Sequence, residues 1–400
     1  MSLLQDKAVV LCVTGGIAAY KSAELTRLLI REGAKVRVTM TESAARFVTP
    51  LTFETLTGGP VAVDMWTRQG GYEVTHISLA DFAQAVVIAP ATANIIGKLA
   101  SGLADDFVST FLLAVRAPIL VCPTMNVNMY ENPVVQENLA KLRARGIKVA
   151  EPGSGWLACG WEGRGRMLEP AEIIEEIKGL LSPQDLGGLK VLVTSGPTRE
   201  PWDDIRFISN RSTGQMGLAL ALTARRRGAK VILVTGPVAF DPPPGLETIK
   251  VETTIDMQKA VRDNLHRVDI LMKAAAPSDF RPAERVSGKV KKTTLPQPIR
   301  LTKNPDILAE IGKDKGDKIL VGFAAESENL IENAKKKLEA KNLDLIVANQ
   351  IGPPDQSFGA ATNRVWIIDR LGRIEEIPLA DKEDIADRIW DRTAALIRKK

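Results

Sequence analysis

The sequence predicts an α/β protein with two Rossmann-like open parallel sheets, one in each half of the chain. Short apolar segments alternate with helical patterns along its length, and parallel strands need such crossover helices. A helix, a Gly-Ala-Lys stop and a strand follow one another within residues 23–41 and again within residues 217–237. The 400 residues suffice for two domains of ordinary size. We therefore expect two successive open α/β domains.

The first half alternates strands with helices. Apolar runs predict strands at 8–14, 36–40, 85–90 and 118–123. Apolar residues at helical spacing predict helices at 20–32, 92–103, 107–115, 131–145 and 171–181. Gly33 ends the first helix, since glycine readily adopts the left-handed conformation that closes a helix.

A polar, glycine-bearing stretch at residues 182–189 predicts a domain boundary, with domains at 1–183 and 184–400. Beyond it, apolar runs predict strands at 190–195, 268–275, 319–325 and 343–348, and a β-rich tail at 362–378. Helices are predicted at 305–313, 327–341 and 383–398. Residues 287–301, rich in Lys, Gly and Pro, are predicted to form an exposed loop over a cleft.

Composition argues against several classes of protein. The net charge of +5 comes without a basic tract interleaved with aromatic residues, so we expect no nucleic acid partner. No secretory leader or membrane-length apolar run is recognisable, so we expect a cytoplasmic protein and no membrane partner. Cys12, Cys122 and Cys159 form neither a metal-like pair nor an even disulfide set. His76 and His266 lack nearby ligands, so a protein-held zinc is not expected.

Gly15 and Gly16 follow the first strand, where α/β proteins hold phosphate at a helix N-terminus. A plain tight turn is the alternative. The G-x-G-x-x-G fingerprint is absent, and the second strand ends near Thr41 and Ser43 rather than at an acidic residue. These features argue against a nicotinamide dehydrogenase.

Polar residues also follow later strands of the first half. Thr92 and Asn94 begin a helix after the strand at 85–90, where ligands collect, although Thr92 could simply be a helix cap. Asn126 follows the strand at 118–123 and could hold a carboxylate, with a structural turn as the alternative.

His76 lies among apolar residues at alternating spacing, where a lone histidine is usually a hydrogen-bonded core residue. Cys159 lies in the glycine-rich stretch 153–167, which we interpret as a loop. Arg164 and Arg166 favour an anionic ligand nearby, so a flap carrying an acid–base thiol competes with an inert cysteine.

In the second half, residues 206–214 place polar groups before a helix whose N-terminus could cradle phosphate, although they are not a Walker loop. Asp279 follows a strand and could hold Mg²⁺ on a nucleotide. Lys289, Lys291 and Lys292 then either bind a triphosphate or form a solvated face.

These motifs resemble two enzyme families. The first half resembles the flavin-containing cysteine decarboxylases, specifically phosphopantothenoylcysteine decarboxylase, through GGIAAYK (15–21), HISL (76–79), APATAN (89–94), PTMNVNM (123–129) and ACGWEGRGRM (158–167). The second half resembles CTP-using bacterial phosphopantothenate–cysteine ligase, through SGPTRE (195–200), RFISNRSTGQMG (206–217), KAAAPSDFRP (273–282), KVKK (289–292), KNPDI (303–307) and GFAAES (322–327). Thr124, Tyr130 and Gln215 depart from the families' usual residues. The resemblance covers nearly the whole chain, in the order of the fused, bifunctional enzymes.

For residues 1–183 the resemblance implies a flavodoxin-like FMN domain that decarboxylates 4′-phosphopantothenoylcysteine to 4′-phosphopantetheine. His76 would assist proton steps, Asn126 would grip the substrate carboxylate and Cys159 would protonate the enethiolate. The implied FMN-binding residues are Gly15, Gly16, Ile17, Thr41, Ser43, Ala91, Thr92 and Asn94.

For residues 184–400 the resemblance implies a ligase domain that joins cysteine to 4′-phosphopantothenate through an acyl-cytidylate made from CTP. Arg206 and Asn210 would hold the acyl intermediate, Lys289 would offset triphosphate charge and Asp279 would hold Mg²⁺. The implied nucleotide-binding residues are Lys273, Ala274, Ala275, Asp279, Phe280, Lys289, Asn304, Pro305, Asp306, Ile307, Phe323, Lys337 and Lys341.

The resemblance also implies a homo-oligomer in which decarboxylase trimers and ligase dimers combine, up to a dodecamer. Two other functions compete with this interpretation. One is a regulatory flavin-binding protein without enzyme activity. The other is a dehydrogenase with paired nucleotide folds.

Overall fold

The structure is a computed structural model that describes residues 2–66, 75–156, 160–243, 245–291, 298–350 and 362–397. The chain divides into two compact units, Ser2–Ser182 and Pro183–Lys400. Each unit has its own sheet and its own apolar core.

The first unit contains a parallel sheet of five strands in the order β2-β1-β3-β4-β5, and a separate hairpin of β6 and β7. Its strands are β1 (Ala8–Val13), β2 (Lys35–Met40), β3 (Ala85–Ala91), β4 (Ile119–Pro123), β5 (Lys148–Val149), β6 (Gly153–Trp156) and β7 (Glu162–Arg166). Its helices are α1 (Ala19–Arg31), α2 (Glu42–Ala45), α3 (Pro50–Thr57), α4 (Thr75–Phe82), α5 (Ala93–Ser101), α6 (Phe107–Ala114), α7 (Val127–Glu131), α8 (Pro133–Ala144) and α9 (Pro170–Leu181). This strand order is that of the doubly wound, flavodoxin-like sheets.

Alternate residues of β1 show that both faces of this sheet are covered. Val9 and Leu11 belong to one buried cluster, whereas Val10 and Cys12 belong to another. Every residue of β1 is buried, and such two-sided burial is typical of parallel sheets between helical layers. The predicted fold class is confirmed for this half.

The second unit contains an eight-stranded sheet in the order β12-β11-β8-β13-β16-β17-β18-β19, with the last two strands antiparallel. Its strands are β8 (Lys190–Ser195), β9 (Arg199–Pro201), β10 (Phe207–Ser209), β11 (Lys230–Thr235), β12 (Glu247–Lys250), β13 (Ile270–Lys273), β14 (Phe280–Pro282), β15 (Leu301–Lys303), β16 (Ile319–Glu326), β17 (Leu345–Gln350), β18 (Thr362–Asp369) and β19 (Ile374–Asp381). Its helices are α10 (Gln215–Arg226), α11 (Thr254–Leu265), α12 (Ile307–Lys313), α13 (Leu330–Ala340) and α14 (Lys382–Ile397).

The strand order reverses between β8 and β13. The chain leaves β8 through α10 toward β11 on one side, whereas β13 pairs with β8 on the other side. Ligands bind open α/β sheets at the carboxyl ends of the strands at such a point. The N-terminus of α10, with Gly214 as its cap, therefore lies where a ligand is expected.

The structure corrects several local predictions. The stretch 153–167 is not only a loop, because β6 and β7 form a hairpin on either side of residues 157–159, which are outside the described part. His76 lies in helix α4 despite the alternating pattern around it. Of the predicted loop 287–301, only the last residue, Leu301, falls in a strand, at the start of β15, and residues 292–297 lie outside the described part. Helix α11 and strand β12 were not predicted. Within the described ranges, no helix is both long and apolar enough to cross a membrane.

Candidate active sites

The first unit has a cavity of about 600 Å³ at the carboxyl edge of its sheet. Its lining comes from the turn after β1, the start of α5, the segment after β4 and the β6–β7 hairpin. Four predicted cofactor residues, Gly15, Gly16, Ile17 and Thr92, line it together with Asn126. The sheet topology thus brings together motifs that are more than 100 residues apart in sequence.

Gly15 and Gly16 have different structural roles. A Cβ at Gly15 would lie 2.4 Å from the Cβ of Ser43, so the close packing of α2 requires glycine there. A Cβ at Gly16 would meet only the Thr92 Cγ2, at an ordinary 3.7 Å. Close packing therefore accounts for Gly15, whereas packing places no such demand on Gly16.

Thr92 occupies the cap position of α5, but its side chain makes no capping hydrogen bond. Its N–H instead donates to the Thr14 hydroxyl over 3.2 Å, and that hydroxyl donates to the Pro90 carbonyl over 2.7 Å. The Thr92 hydroxyl is 3.3 Å from the Thr14 hydroxyl and lines the cavity. Thr92 is thus held by Thr14 at the cavity wall.

Four other predicted cofactor residues lie around this wall without lining the cavity. The Thr41 hydroxyl caps α2 by accepting the Ala44 N–H over 3.2 Å. Ser43 packs against Gly15, Ala91 is buried, and Asn94 is exposed on α5.

Asn126 is the cap residue of the short helix α7, and its Oδ1 accepts the Asn128 N–H over 2.8 Å. The hairpin packs directly on this segment, since the Met125 N–H donates to the Gly165 carbonyl over 3.0 Å. Gly163 lies against Val127, where a Cβ would come within 2.8 Å of the valine side chain. Cys159 belongs to the same hairpin in sequence but lies outside the described residues.

His76 is not part of the cavity lining. It is partly buried on α4 and contacts the Phe107 ring edge-to-face, with centroids 6.5 Å apart. The chain as described therefore does not bring His76 to the wall that carries Asn126.

The second unit has a cavity of about 330 Å³ at the strand-order reversal. Its lining includes the N-terminal residues of α10 and the carboxyl ends of β13 and β16. The predicted residues that line it are Asn210, Lys273, Ala274, Ala275, Asp279, Asn304, Pro305, Asp306, Ile307, Phe323, Lys337 and Lys341.

Two asparagines hold the turn after β13. Asn210 Nδ2 donates to the Ala276 and Pro277 carbonyls over 2.9 and 3.1 Å. Asn304 Nδ2 donates to the Ser278 carbonyl over 2.8 Å, and the Asn304 N–H donates to the Asp279 carbonyl over 2.8 Å. The backbone is thereby fixed while the Asp279 side chain is exposed to the cavity.

A charge cluster surrounds Lys273. Burial is the main cause that lowers the pKa of Lys273 to about 8, and the positive charge of Lys341 lowers it further. Burial opposes ionisation of Asp306, but the Lys341 ammonium at 2.7 Å and the Ala309 N–H outweigh it, so the pKa of Asp306 lies below its usual range. Lys337 pairs with Glu326 at 2.5 Å.

Arg206, Phe280 and Lys289 do not line this cavity. The Arg206 guanidinium donates twice to Asp203, over 2.9 and 2.6 Å, and also to the Val290 carbonyl over 2.8 Å. The Val290 N–H donates to the same Asp203 carboxylate over 3.3 Å. Arg206 thus ties the segment that carries the exposed Lys289 to residues 202–206.

Asn349, Asn363 and Lys382 also line the second cavity, although sequence reasoning missed them. Asn349 follows a predicted strand, so the rule for carboxyl ends of parallel strands could have found it. Asn363 and Lys382 come from β18 and α14, beyond the parallel part of the sheet, and no motif indicates them.

No group of three or more His, Cys, Asp or Glu side chains in the described ranges could hold a metal. Asp279 could still contribute one carboxylate to Mg²⁺, because this ion usually takes one or two protein carboxylates together with substrate phosphates.

The two units match two family models. The model described as Flavoprotein matches residues 2–182. The model described as DNA/pantothenate metabolism flavoprotein C-terminal domain matches residues 186–396. Fold and sequence together define a two-domain flavoprotein of this class.

Curated relatives match both units at once. The Bacillus subtilis (strain 168) protein "Coenzyme A biosynthesis bifunctional protein CoaBC" is 45% identical over 99% of this chain and 99% of its own. The protein of the same name from Escherichia coli (strain K12) is 42% identical over 97% of both chains. The chain belongs to this family of bifunctional coenzyme A biosynthesis proteins. A solved C-terminal domain of a protein with this name is 37% identical, with a TM-score of 0.47, and covers 54% of this chain and 100% of its own.

Proposed function

We propose that the chain carries out two successive reactions of coenzyme A biosynthesis. The C-terminal domain, residues 184–400, would join cysteine to 4′-phosphopantothenate at the expense of CTP. The N-terminal domain, residues 1–183, would decarboxylate the resulting 4′-phosphopantothenoylcysteine to 4′-phosphopantetheine. The main support is that each domain gathers its own motif residues around one cavity at the carboxyl edge of its sheet, in a family whose members are bifunctional.

The ligase cavity suits a polyphosphate. Lys273, Lys337 and Lys341 line it, and the N-terminus of α10 presents backbone N–H groups and the positive end of a helix dipole. Their positive charge would favour the developing negative charge of the leaving pyrophosphate as the pantothenate carboxylate attacks CTP. Cysteine would then displace CMP from the acyl-cytidylate.

Asn210 is suited to hold the acyl intermediate, because it lines the cavity beside the turn that it anchors. Asp279 would hold Mg²⁺ on the nucleotide. The roles proposed for Arg206 and Lys289 require the segment around Val290 to reach the nucleotide, within one chain or across the expected dimer.

The cavity of the first domain fits a flavin mononucleotide. Apolar side chains of Ile17, Met125, Met129 and Met167 suit a flat ring system, whereas Gly16 and Thr92 provide a polar end at a helix start. FMN, when bound, would supply the two-electron oxidation of the cysteinyl thiol and later return the hydride. Asn126 would hold the substrate carboxylate until CO₂ leaves.

Two further residues would handle protons in the first domain. Cys159 would protonate the enethiolate formed by decarboxylation, and His76 would assist proton transfer. Since His76 lies outside the cavity lining of one chain, its role would require a rearrangement or the neighbouring subunit of the expected trimer. Exposed Ile17, Tyr20 and Trp156 at the cavity support cofactor or subunit contacts there.

Mass spectrometry of the products from 4′-phosphopantothenate, cysteine and CTP tests the proposal. Formation of 4′-phosphopantetheine, together with pyrophosphate and CO₂, is the expected result. The purified protein should also be yellow from noncovalent FMN. A flavin-containing protein that makes no product would instead indicate a regulatory flavin-binding protein, and a copurified nicotinamide nucleotide would indicate a dehydrogenase.

A further inference from the structure

Lys382 lines the ligase-domain cavity at a place that no sequence motif explains. It is the first residue of α14, directly after strand β19. The sheet register brings it to the cavity, because Asp381 pairs with Thr362 at the start of β18. The two antiparallel strands appended to the parallel sheet therefore deliver Lys382 to the same edge as the nucleotide motifs.

The neighbouring backbone is also shaped toward the cavity. The β18–β19 pairing shifts register between Asn363 and Val365, and both residues line the cavity. Such irregularities re-aim side chains and are frequent beside active sites. The irregular strand pairing therefore lies at residues that line the cavity.

Lys382 stands at a helix position that disfavours a cation. A cation at the first residue of a helix is repelled by the positive end of the helix dipole, and the following Glu383 and Asp384 are the residue types that this position favours. Burial lowers the pKa of the Lys382 ammonium, which shows that its surroundings disfavour the charge. Violations of local rules of this kind are expected at functional sites.

The charge of the whole lining points to the same kind of ligand. Four lysines, Lys273, Lys337, Lys341 and Lys382, line the cavity, against two carboxylates, Asp279 and Asp306. A lysine ammonium is a compact point charge suited to phosphate. Lys337 and Lys341 also pair with Glu326 and Asp306, and a phosphate group would add a further anionic partner for this lysine-rich lining.

We propose that Lys382 is a further ligand-positioning residue that binds a phosphate group in this cavity. The inference rests on the proposed ligase function. Two phosphates could be the ligand group: the triphosphate of CTP, or the phosphate of 4′-phosphopantothenate. Both belong to substrates of the same reaction, and their binding can be measured separately.

Isothermal titration calorimetry on the full-length protein tests this without turnover. The probes are CTP, 4′-phosphopantothenate and pantothenate, each titrated into wild type, Lys382→Gln, Lys382→Arg and the control Lys336→Gln. Lys336 lies on α13 and pairs with Glu332 on the exposed surface, so its loss should change nothing. Lys382→Gln should weaken one phosphate-bearing ligand about tenfold or more, on the scale of a lost charged hydrogen bond, and Lys382→Arg should retain most of the affinity.

The pattern of losses identifies the phosphate. Weaker CTP binding alone assigns Lys382 to the triphosphate, whereas weaker binding of 4′-phosphopantothenate with unchanged pantothenate assigns it to the acyl substrate. Unchanged binding of both ligands overturns the inference, and so does an equal loss for all three probes with a lowered melting temperature. If the wild type ligates cysteine and Lys382→Gln binds both phosphate-bearing ligands normally, only this inference is wrong. If the wild type forms no product, the proposed function is wrong and the inference with it.

Discussion

Gly165 lies directly against the carbonyl group of Met125. A Cβ at Gly165 would stand 2.1 Å from the Met125 oxygen, and the Met125 N–H donates to the Gly165 carbonyl over 3.0 Å. This backbone contact joins the β6–β7 hairpin to the segment that carries Asn126. The position of the hairpin beside the first cavity therefore depends on the absence of a side chain at residue 165.

Gly165→Ala should displace the hairpin and reduce the flavin content of the purified protein. The substitution adds a clash, and the backbone has a φ of +143° that alanine rarely adopts. Overpacking of this kind costs about 1–3 kcal/mol. Gly160→Ala is the matched control, because Gly160 also has positive φ but no atom within 4 Å of its Cβ position. Flavin absorbance per chain and melting temperature are measured; equal losses in both variants would contradict a specific role for the Met125 contact.

The fold was predictable where burial is continuous. Strand β1 is fully buried, so its unbroken apolar run identifies it without ambiguity. The β6–β7 hairpin was not predictable, because its glycines reflect contacts with distant residues such as Met125 and Val127. Helix α11 was missed because its sequence, TIDMQKAVRDNL, is largely polar. In such segments tertiary contacts decide the structure more than local pattern does.

The site residues that follow parallel strands were predictable, because the carboxyl ends of parallel strands lie at one edge of the sheet. Asn126 and Asp279 follow predicted strands and do line cavities. Asn363 and Lys382 reach the second cavity through antiparallel pairing, which the sequence does not reveal. Lys289 is a case in which the sequence suggested a cavity residue that the structure does not place there. A basic segment next to a motif need not lie in the cavity of the same chain.

CTP affinity should fall as the pH rises through about 8. The pKa of Lys273 is lowered to about 8, so its ammonium is charged below this pH and neutral above it. A phosphate ligand binds the charged form more tightly, so deprotonation weakens binding. Calorimetric titrations between pH 7 and pH 9.5 measure the effect, and Lys273→Gln should bind more weakly with a flatter profile. The same decline in both proteins would show that another group is responsible.

Arg227→Met should destabilise the C-terminal domain by about 3 kcal/mol, since removing one partner of a buried ion pair leaves uncompensated charge. The buried Arg227 guanidinium donates to Asp185 over 2.9 and 2.6 Å and to Asp391 over 2.8 Å, which links the residues before β8 to α14. Scanning calorimetry measures the shift in the unfolding transition of this domain, which is recognised as the transition that CTP moves to higher temperature.

Lys336→Met is the control for Arg227→Met. Lys336 pairs with Glu332 one helical turn away, with both side chains mostly exposed. Exposed pairs of this type contribute about 0.5 kcal/mol or less. A shift in Arg227→Met no larger than in this control would mean that the Arg227 cluster does not stabilise the domain.

The residues proposed for the two halves of the ligase reaction have different surroundings. Asn210 lines the cavity and anchors the Ala276–Pro277 backbone through its amide. Lys289 is exposed on the segment that Asp203 holds through the Val290 N–H. We therefore expect substitutions at Asn210 and Lys289 to impair different steps.

Lys289→Gln should slow acyl-cytidylate formation about 10²-fold or more, because it removes a positive charge proposed to face the transferring phosphate. Pyrophosphate release should then fall whether or not cysteine is present.

Asn210→Asp should still release pyrophosphate, but transfer to cysteine should be slow, because the variant lacks the amide donor proposed to hold the acyl intermediate. The acyl intermediate should therefore accumulate. Lys336→Gln, which removes an exposed lysine of α13 outside the cavity lining, is the control and should behave as wild type. Equal loss of both steps in Lys289→Gln and Asn210→Asp, measured by pyrophosphate assay and product mass spectrometry, would show that the two segments act as one structural unit.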